Sequence, residues 1–164
     1  FNFLTGKPLF LVANVKESDL SFSQKELGLS KEIIVISAQT EAELIDLSKK
    51  EGREYLEALG LKESALDKVI NKAYQLLGLI SFYTIKEDGS QIQAWPIKRK
   101  TKARKAGGMI HTDFEKKFIQ AQVVSADRLI KAGSLAKAAE RGLIKARGEG
   151  YLIRDGQVIN FKHG

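Results

Sequence analysis

The apolar residues of this chain change their period once, at Gly78, and that change limits the folds open to it. Before Gly78, two short unbroken apolar runs, Leu9-Phe10-Leu11-Val12-Ala13 and Ile33-Ile34-Val35-Ile36, are followed by apolar residues at helical spacing. After it, apolar and polar residues alternate over 81–85, 91–97 and 118–124. Strands covered on both faces read as continuous apolar runs, half-covered strands alternate, and helices repeat every three to four residues. The chain therefore reads as an α/β portion over 1–77, with two parallel strands and helices, and an α+β portion over 78–164.

Both early runs end in a small polar residue, Asn14 and Ser37, at the strand end where open α/β sheets place their ligands. Two strands cannot form a sheet covered on both faces, and the only Met is Met109, so further strands of an α/β domain are expected upstream of Phe1. Helices are expected over 41–50 and 53–59. A third, capped by Ser64, carries Leu66, Val69, Ile70, Ala73 and Leu77. In the second portion, Glu87-Asp88-Gly89-Ser90 signals a hairpin, and Thr112-Asp113-Phe114-Glu115 matches a capping box. Short helices over 126–131 and 134–141 and a hairpin over 151–161 about Asp155-Gly156 complete an order that resembles a β-grasp, ubiquitin-like fold.

Composition excludes several classes. The chain is 43% hydrophobic, too apolar for disorder, yet no run reaches the ~20 residues of a membrane span. The absence of cysteine removes disulfides, thiolate metal sites and a cysteine nucleophile, and fits a reducing cytoplasm. Residues 1–70 carry 9 Lys and Arg against 12 Asp and Glu, whereas residues 71–164 carry 18 against 8. A surplus of +10 in the second part suits a polyanionic partner.

No G-x-x-x-x-G-K-[ST] occurs, and nothing marks a nucleophile elbow, so the chain holds no self-sufficient catalytic constellation. His111 sits beside a helix cap and reads as structural. Two candidate sites remain. Asn14-Val15-Lys16-Glu17 and Ser37-Ala38-Gln39 follow the two apolar runs, where an Asn amide and a loop backbone can meet a purine edge. The pair resembles the base-recognition loops of P-loop GTPases, with N-x-x-E in place of the commoner N-K-x-D. The resemblance implies that an Asp there would accept from guanine, and that the longer Glu17 arm spoils that bidentate fit and weakens guanine selectivity. The second is a basic run, Lys98, Arg99, Lys100, Lys102, Arg104 and Lys105, with Trp95 just upstream. Closely spaced cations suit RNA phosphates. Trp95 reads as a core residue that could otherwise stack on a base.

The stretches Leu76-Leu77-Gly78-Leu79-Ile80-Ser81-Phe82-Tyr83-Thr84, Ala94-Trp95, Gly107-Gly108-Met109-Ile110-His111-Thr112-Asp113-Phe114-Glu115-Lys116 and Asp155-Gly156-Gln157-Val158-Ile159 resemble the C-terminal part of the YchF/Obg-like ATPases. The resemblance covers nearly the whole chain. It implies the end of an OBG-type P-loop NTPase domain at 1–77 and a TGS domain at 78–164. It further implies a cytoplasmic, monomeric protein without membrane attachment that hydrolyses ATP or GTP with Mg²⁺ and associates with the ribosome and its RNA. The N-x-x-E variant goes with acceptance of ATP. This chain alone, without a phosphate loop, is expected to bind no nucleotide tightly and to hydrolyse none. Gln39 stands where the family usually has Lys, and the interval from Asn14 to Ser37 is shorter than usual. Two other readings stay open: a stand-alone RNA-binding module, and a ubiquitin-like carrier, for which His163-Gly164 supplies only one terminal glycine.

Overall fold

The computed structural model describes residue 3 and residues 6–20, 33–86 and 91–164. The chain divides into two compact units, Phe1–Leu77 and Gly78–Gly164. In the first, β1 (Leu11–Asn14) and β2 (Ile33–Ile36) pair in parallel, with Asn14 opposite Ile36. That register brings both carboxyl ends to one edge. Helices α1 (Ala38–Ile45), α2 (Lys49–Ala58) and α3 (Ala65–Leu77) follow, and α3 packs on β2.

The single helix expected over 41–50 is two helix ends instead. The chain leaves α1 at Asp46 and re-enters at Ser48, whose Oγ accepts from the Glu51 N–H while the Glu51 carboxylate accepts from the Ser48 N–H. This capping box makes a helix start more favourable there than a continuation. Ser64 caps α3 as expected, its Oγ accepting from the Asp67 N–H at 3.0 Å. The Glu41 carboxylate from α1 adds two charge-assisted bonds, from the N–H groups of Ala65 (2.6 Å) and Leu66 (3.2 Å). The strands are less covered than their composition suggests. Residues of β1 alternate between half-buried and exposed, and β2 is half-buried throughout. Residues 21–32 and the Asp-Gly hairpin signal at 87–90 lie outside the described residues.

The second unit is a five-stranded mixed sheet with helices. In chain order it holds β3 (Leu79–Ile85), β4 (Ile92–Lys98), α4 (Ala103–Ile110), α5 (Thr112–Lys116), β5 (Phe118–Ser125), α6 (Ala126–Ala132), α7 (Leu135–Glu140), β6 (Lys145–Arg147) and β7 (Gln157–His163). The strands lie in the order β4-β3-β7-β5-β6; β3 and β7 are parallel and the other neighbours antiparallel. Phe82, Ile97, Ala103, Ala106, Ala121, Ile159 and Phe161 are among the residues that fill one core. Phe82, Phe161 and Phe114 meet at ring separations of 5.9 and 6.2 Å. No helix among the described residues is long and apolar enough to cross a membrane.

Two sequence readings are corrected in this unit. The expected 151–161 hairpin is absent, because β7 already pairs with β3 on one edge and β5 on the other. The segment before the turn goes elsewhere: Leu152 bridges Lys102, and the Ile153 N–H donates to the Thr101 carbonyl. The Asp155-Gly156 turn itself is fixed to β3, with the Asp155 carboxylate accepting from the Ser81 N–H and the Gly156 N–H donating to the Ser81 carbonyl. The other correction concerns α5. Its cap is His111, whose Nδ1 accepts from the Asp113 N–H at 3.2 Å, and Thr112 is already helical. That bond requires an unprotonated Nδ1, so the 3.6 Å approach to the Asp113 carboxylate is not an ion pair in the same state.

Candidate functional site

The parallel register places Asn14 and the start of α1 side by side. The Asn14 Oδ1 accepts from the Ala38 N–H at 3.0 Å, which leaves the Asn14 NH₂ as the amide donor not used in that bond. Ser37 is buried, and its Oγ accepts from the Thr40 N–H as the cap of α1. The Val15 N–H donates to the Ile36 carbonyl at 2.9 Å. Of the six residues marked by the sequence at this edge, Val15, Ser37 and Ala38 thus use these groups to hold the edge together. Asn14, Glu17 and Gln39 are exposed.

Glu17 is held from two sides. Its carboxylate accepts from the Thr40 hydroxyl at 3.3 Å and from the Tyr55 hydroxyl at 2.9 Å. Tyr55 also lies 2.5 Å from the Glu43 carboxylate, which accepts in addition from the Gln39 amide at 3.2 Å. The bond from Tyr55, and next that from Gln39, lower the Glu43 pKa below the usual carboxylate range. Hydrogen bonds to Glu43 and Glu17 hold the Tyr55 phenol well above its ordinary value. Sequence reasoning missed Thr40, Glu43 and Tyr55, because the bonds that tie them to Glu17 and to each other span 12 to 38 residues and follow no local spacing.

The basic run of the second unit is not one strip. Lys98 ends β4, Arg99 and Lys100 form a turn, Lys102 is the N-cap of α4, and Arg104 and Lys105 lie in its first turn. All six are exposed. Arg104 is tied down, its Nε donating to the Glu115 carbonyl at 2.9 Å and its Nη1 to the Glu149 carboxylate at 3.1 Å. Lys100 has φ of 67°, a left-handed conformation that glycine adopts more readily. The first turn of α4 contains no acidic residue, so its cations oppose the positive end of the helix dipole. Trp95 faces the core: its Nε1–H donates to the Thr84 Oγ1 at 3.0 Å, and its ring stacks 6.5 Å from Phe82. Among the described residues, no group of three or more His, Cys, Asp or Glu could hold a metal ion.

The family model YchF-GTPase_C, described as a protein of unknown function (DUF933), matches residues 79–164. The ribosome-binding ATPase YchF of Bacillus subtilis is 37% identical over 169 residues, covering 97% of this chain and 46% of that protein. Obg-like ATPase 1 of Caenorhabditis elegans is 37% identical over 172 residues, covering 98% of this chain and 42% of that protein. The solved Schizosaccharomyces pombe YchF GTPase superposes with a TM-score of 0.81 at 26% identity, over 97% of this chain and 44% of that one. The chain therefore spans a little under half the length of these relatives. Matched along nearly all its length by YchF-type proteins and over 79–164 by their C-terminal family model, the chain belongs to the YchF/Obg-like ATPase family and corresponds to its C-terminal part.

Proposed function

We propose that this chain carries the base-contacting edge of an ATP- or GTP-hydrolysing P-loop protein together with the TGS domain through which that protein meets ribosomal RNA. On this reading, 1–77 ends an OBG-type nucleotide domain and 78–164 is a TGS domain of β-grasp type. The order β4-β3-β7-β5-β6 with its parallel central pair supports the β-grasp assignment. The observation that carries the nucleotide reading is the shared edge itself, where Asn14 is bonded to the start of α1 and Glu17 stands beside it under two hydroxyls. There the Asn14 amide can donate to the N7 acceptor common to both purines, and Glu17 tunes the choice between them. Phosphates and Mg²⁺ fall to residues outside this sequence, which contains no Walker A loop.

The placement of the cations supports the RNA reading. A lysine held at positive φ and a basic first turn without an acidic residue of its own both run against local preference, and such departures mark functional surfaces. The protein on this reading is a cytoplasmic monomer. A stand-alone RNA module is not favoured, because the relatives match the first unit as well.

The test of the nucleotide reading uses the protein extended by its phosphate-binding half. Glu17→Asp is expected to shift its preference toward GTP, and an unchanged preference would detach Glu17 from base choice. For the RNA reading, Lys98→Gln/Arg99→Gln/Lys102→Gln is expected to reduce ribosome binding and flatten its dependence on salt. Unchanged pelleting with ribosomes at every salt concentration would show the run to be only a solvated surface.

A further inference from the structure

Beyond the basic run, the second unit has a groove of about 310 Å³ that the sequence reading did not single out. Lys145 and Arg147 stand two residues apart on β6, so both project from the same face of this edge strand into the groove. Arg128 reaches it from α6, and Arg154 from the turn before β7. The Arg147 guanidinium lies 5.2 Å from the centre of the Tyr151 ring, a cation–π contact that presents a flat surface. Tyr151 is itself fixed, its hydroxyl accepting from the Gln157 amide at 2.7 Å. The one lining carboxylate, Asp155, is engaged with the Ser81 N–H. Four cations against one occupied carboxylate leave the groove strongly positive.

We infer that this groove binds an unpaired nucleotide of an RNA strand, with its phosphate on the arginines and its base against the Arg147–Tyr151 pair. Three of the four cations are arginines, whose planar forks match phosphate oxygens in pairs. A stacked aromatic and guanidinium offer a flat face to a base, for which the carboxylates of an acidic peptide have no counterpart. The volume takes one nucleotide unit and not a duplex. The groove also adjoins the basic run, since the Ala103 N–H donates to the Tyr151 carbonyl and the Arg104 N–H to the Glu149 carbonyl. A strand leaving the groove would pass onto Lys102 and Lys105. The inference rests on the RNA reading above and gives it a site.

The test is binding of a fluorescent 12-nucleotide oligoadenylate RNA to the full chain, followed by anisotropy at several salt concentrations. Arg128→Gln/Lys145→Gln/Arg154→Gln is expected to weaken binding at least tenfold. It should also make the slope of log K against log salt shallower by about 2, at roughly 0.7 per phosphate lost. A blunt duplex of the same length should bind equally to both proteins. Should the triple variant be unfolded by circular dichroism, Arg128→Gln/Arg154→Gln, which changes no strand residue, takes its place, with weaker binding and a slope shallower by about 1.4 expected. Unchanged affinity in the folded variant, while the parent chain binds RNA, overturns the groove and leaves the RNA reading to the run at 98–105. Competition by polyglutamate as strong as by RNA also overturns it. Failure of the parent chain to bind either oligoadenylate or ribosomes overturns both readings together.

Discussion

Phe82, Ile97 and Ile159 in the second unit are 2% exposed or less, whereas Val12, Leu66 and Ile70 in the first stand 43–56% exposed. The side chains are alike; their surroundings differ. In the second unit a twisted five-stranded sheet and the helices α4 and α5 close over one set of apolar faces. In the first, a two-stranded parallel pair with three helices leaves its apolar runs partly open, and Ala65 is its only buried apolar residue among those described. Parallel strands belong to sheets covered on both faces, so their composition anticipates layers that two strands do not assemble. Order in the first unit comes from polar bonds at one edge, and order in the second from burial.

The largest test of this contrast separates the units. Residues 78–164 expressed alone are expected to unfold in one cooperative transition, followed by circular dichroism in urea, whereas 1–77 alone should show none. Equal cooperativity in both would break the comparison. Point substitutions then sharpen it. Phe82→Ala should cost about 3–5 kcal/mol, because its ring is fully buried between Trp95 and Phe161. Val12→Ala, at an exposed position, should cost at most about 1 kcal/mol.

Gly107→Val probes the corner between α4 and α5. A Cβ at Gly107 would lie 3.2 Å from the Phe114 Cβ and 3.3 Å from the Phe161 Cδ1, so a branched side chain should cost about 1–3 kcal/mol by overpacking. Stability unchanged in urea would mean that the helix moves freely on the sheet. The Gly107-Gly108 pair thus has an architectural reason: the string on which the family resemblance rests builds a tight helix corner, capped by His111.

What the sequence disclosed follows the same division. Elements defined by near neighbours were legible: the parallel runs, the Ser64 cap, and the alternation of β3 and β4. Features set by distant partners were not. Nothing local to Tyr151 and Leu152 says that their segment bridges Lys102 instead of pairing with β7. Nothing near Glu17 points to Tyr55, 38 residues on. The Ser48–Glu51 box is a local signal, but the helical spacing over 41–50 runs across it and conceals the break. The cations of 98–105 were found as a run, but only the backbone reveals a strand end, a turn and a helix start.

The turn offers a smaller effect of opposite sign. Lys100→Gly relieves a left-handed conformation and should stabilise the second unit by about 1 kcal/mol, read from its urea midpoint. If Lys100 is retained for RNA, the same change should weaken ribosome binding at low salt. Greater stability without loss of binding would separate the strained turn from function.

The smallest expected effect lies at the polar edge of the first unit. Tyr55 brings one phenol proton between two carboxylates, and the shorter contact, to Glu43, is the main cause of the lowered Glu43 pKa. A lowered carboxyl contributes its bond above the ordinary carboxylate range and loses it as pH falls through the depressed value. The raised phenol contributes below the ordinary tyrosine range and loses its bond only as pH climbs through its elevated value. The contact therefore persists across neutral pH. In Tyr55→Phe, the Glu43 carboxyl, followed by carbon NMR, should titrate closer to an ordinary glutamate, with little change in unfolding, because the bond is exposed. Glu17 would then keep only its bond from Thr40, and its signal should broaden or move. An unmoved Glu43 titration would mean that Tyr55 does not hold this edge in solution. The polar bonding that distinguishes the first unit from the second would then rest on Asn14 and Ala38 with the caps of the helices.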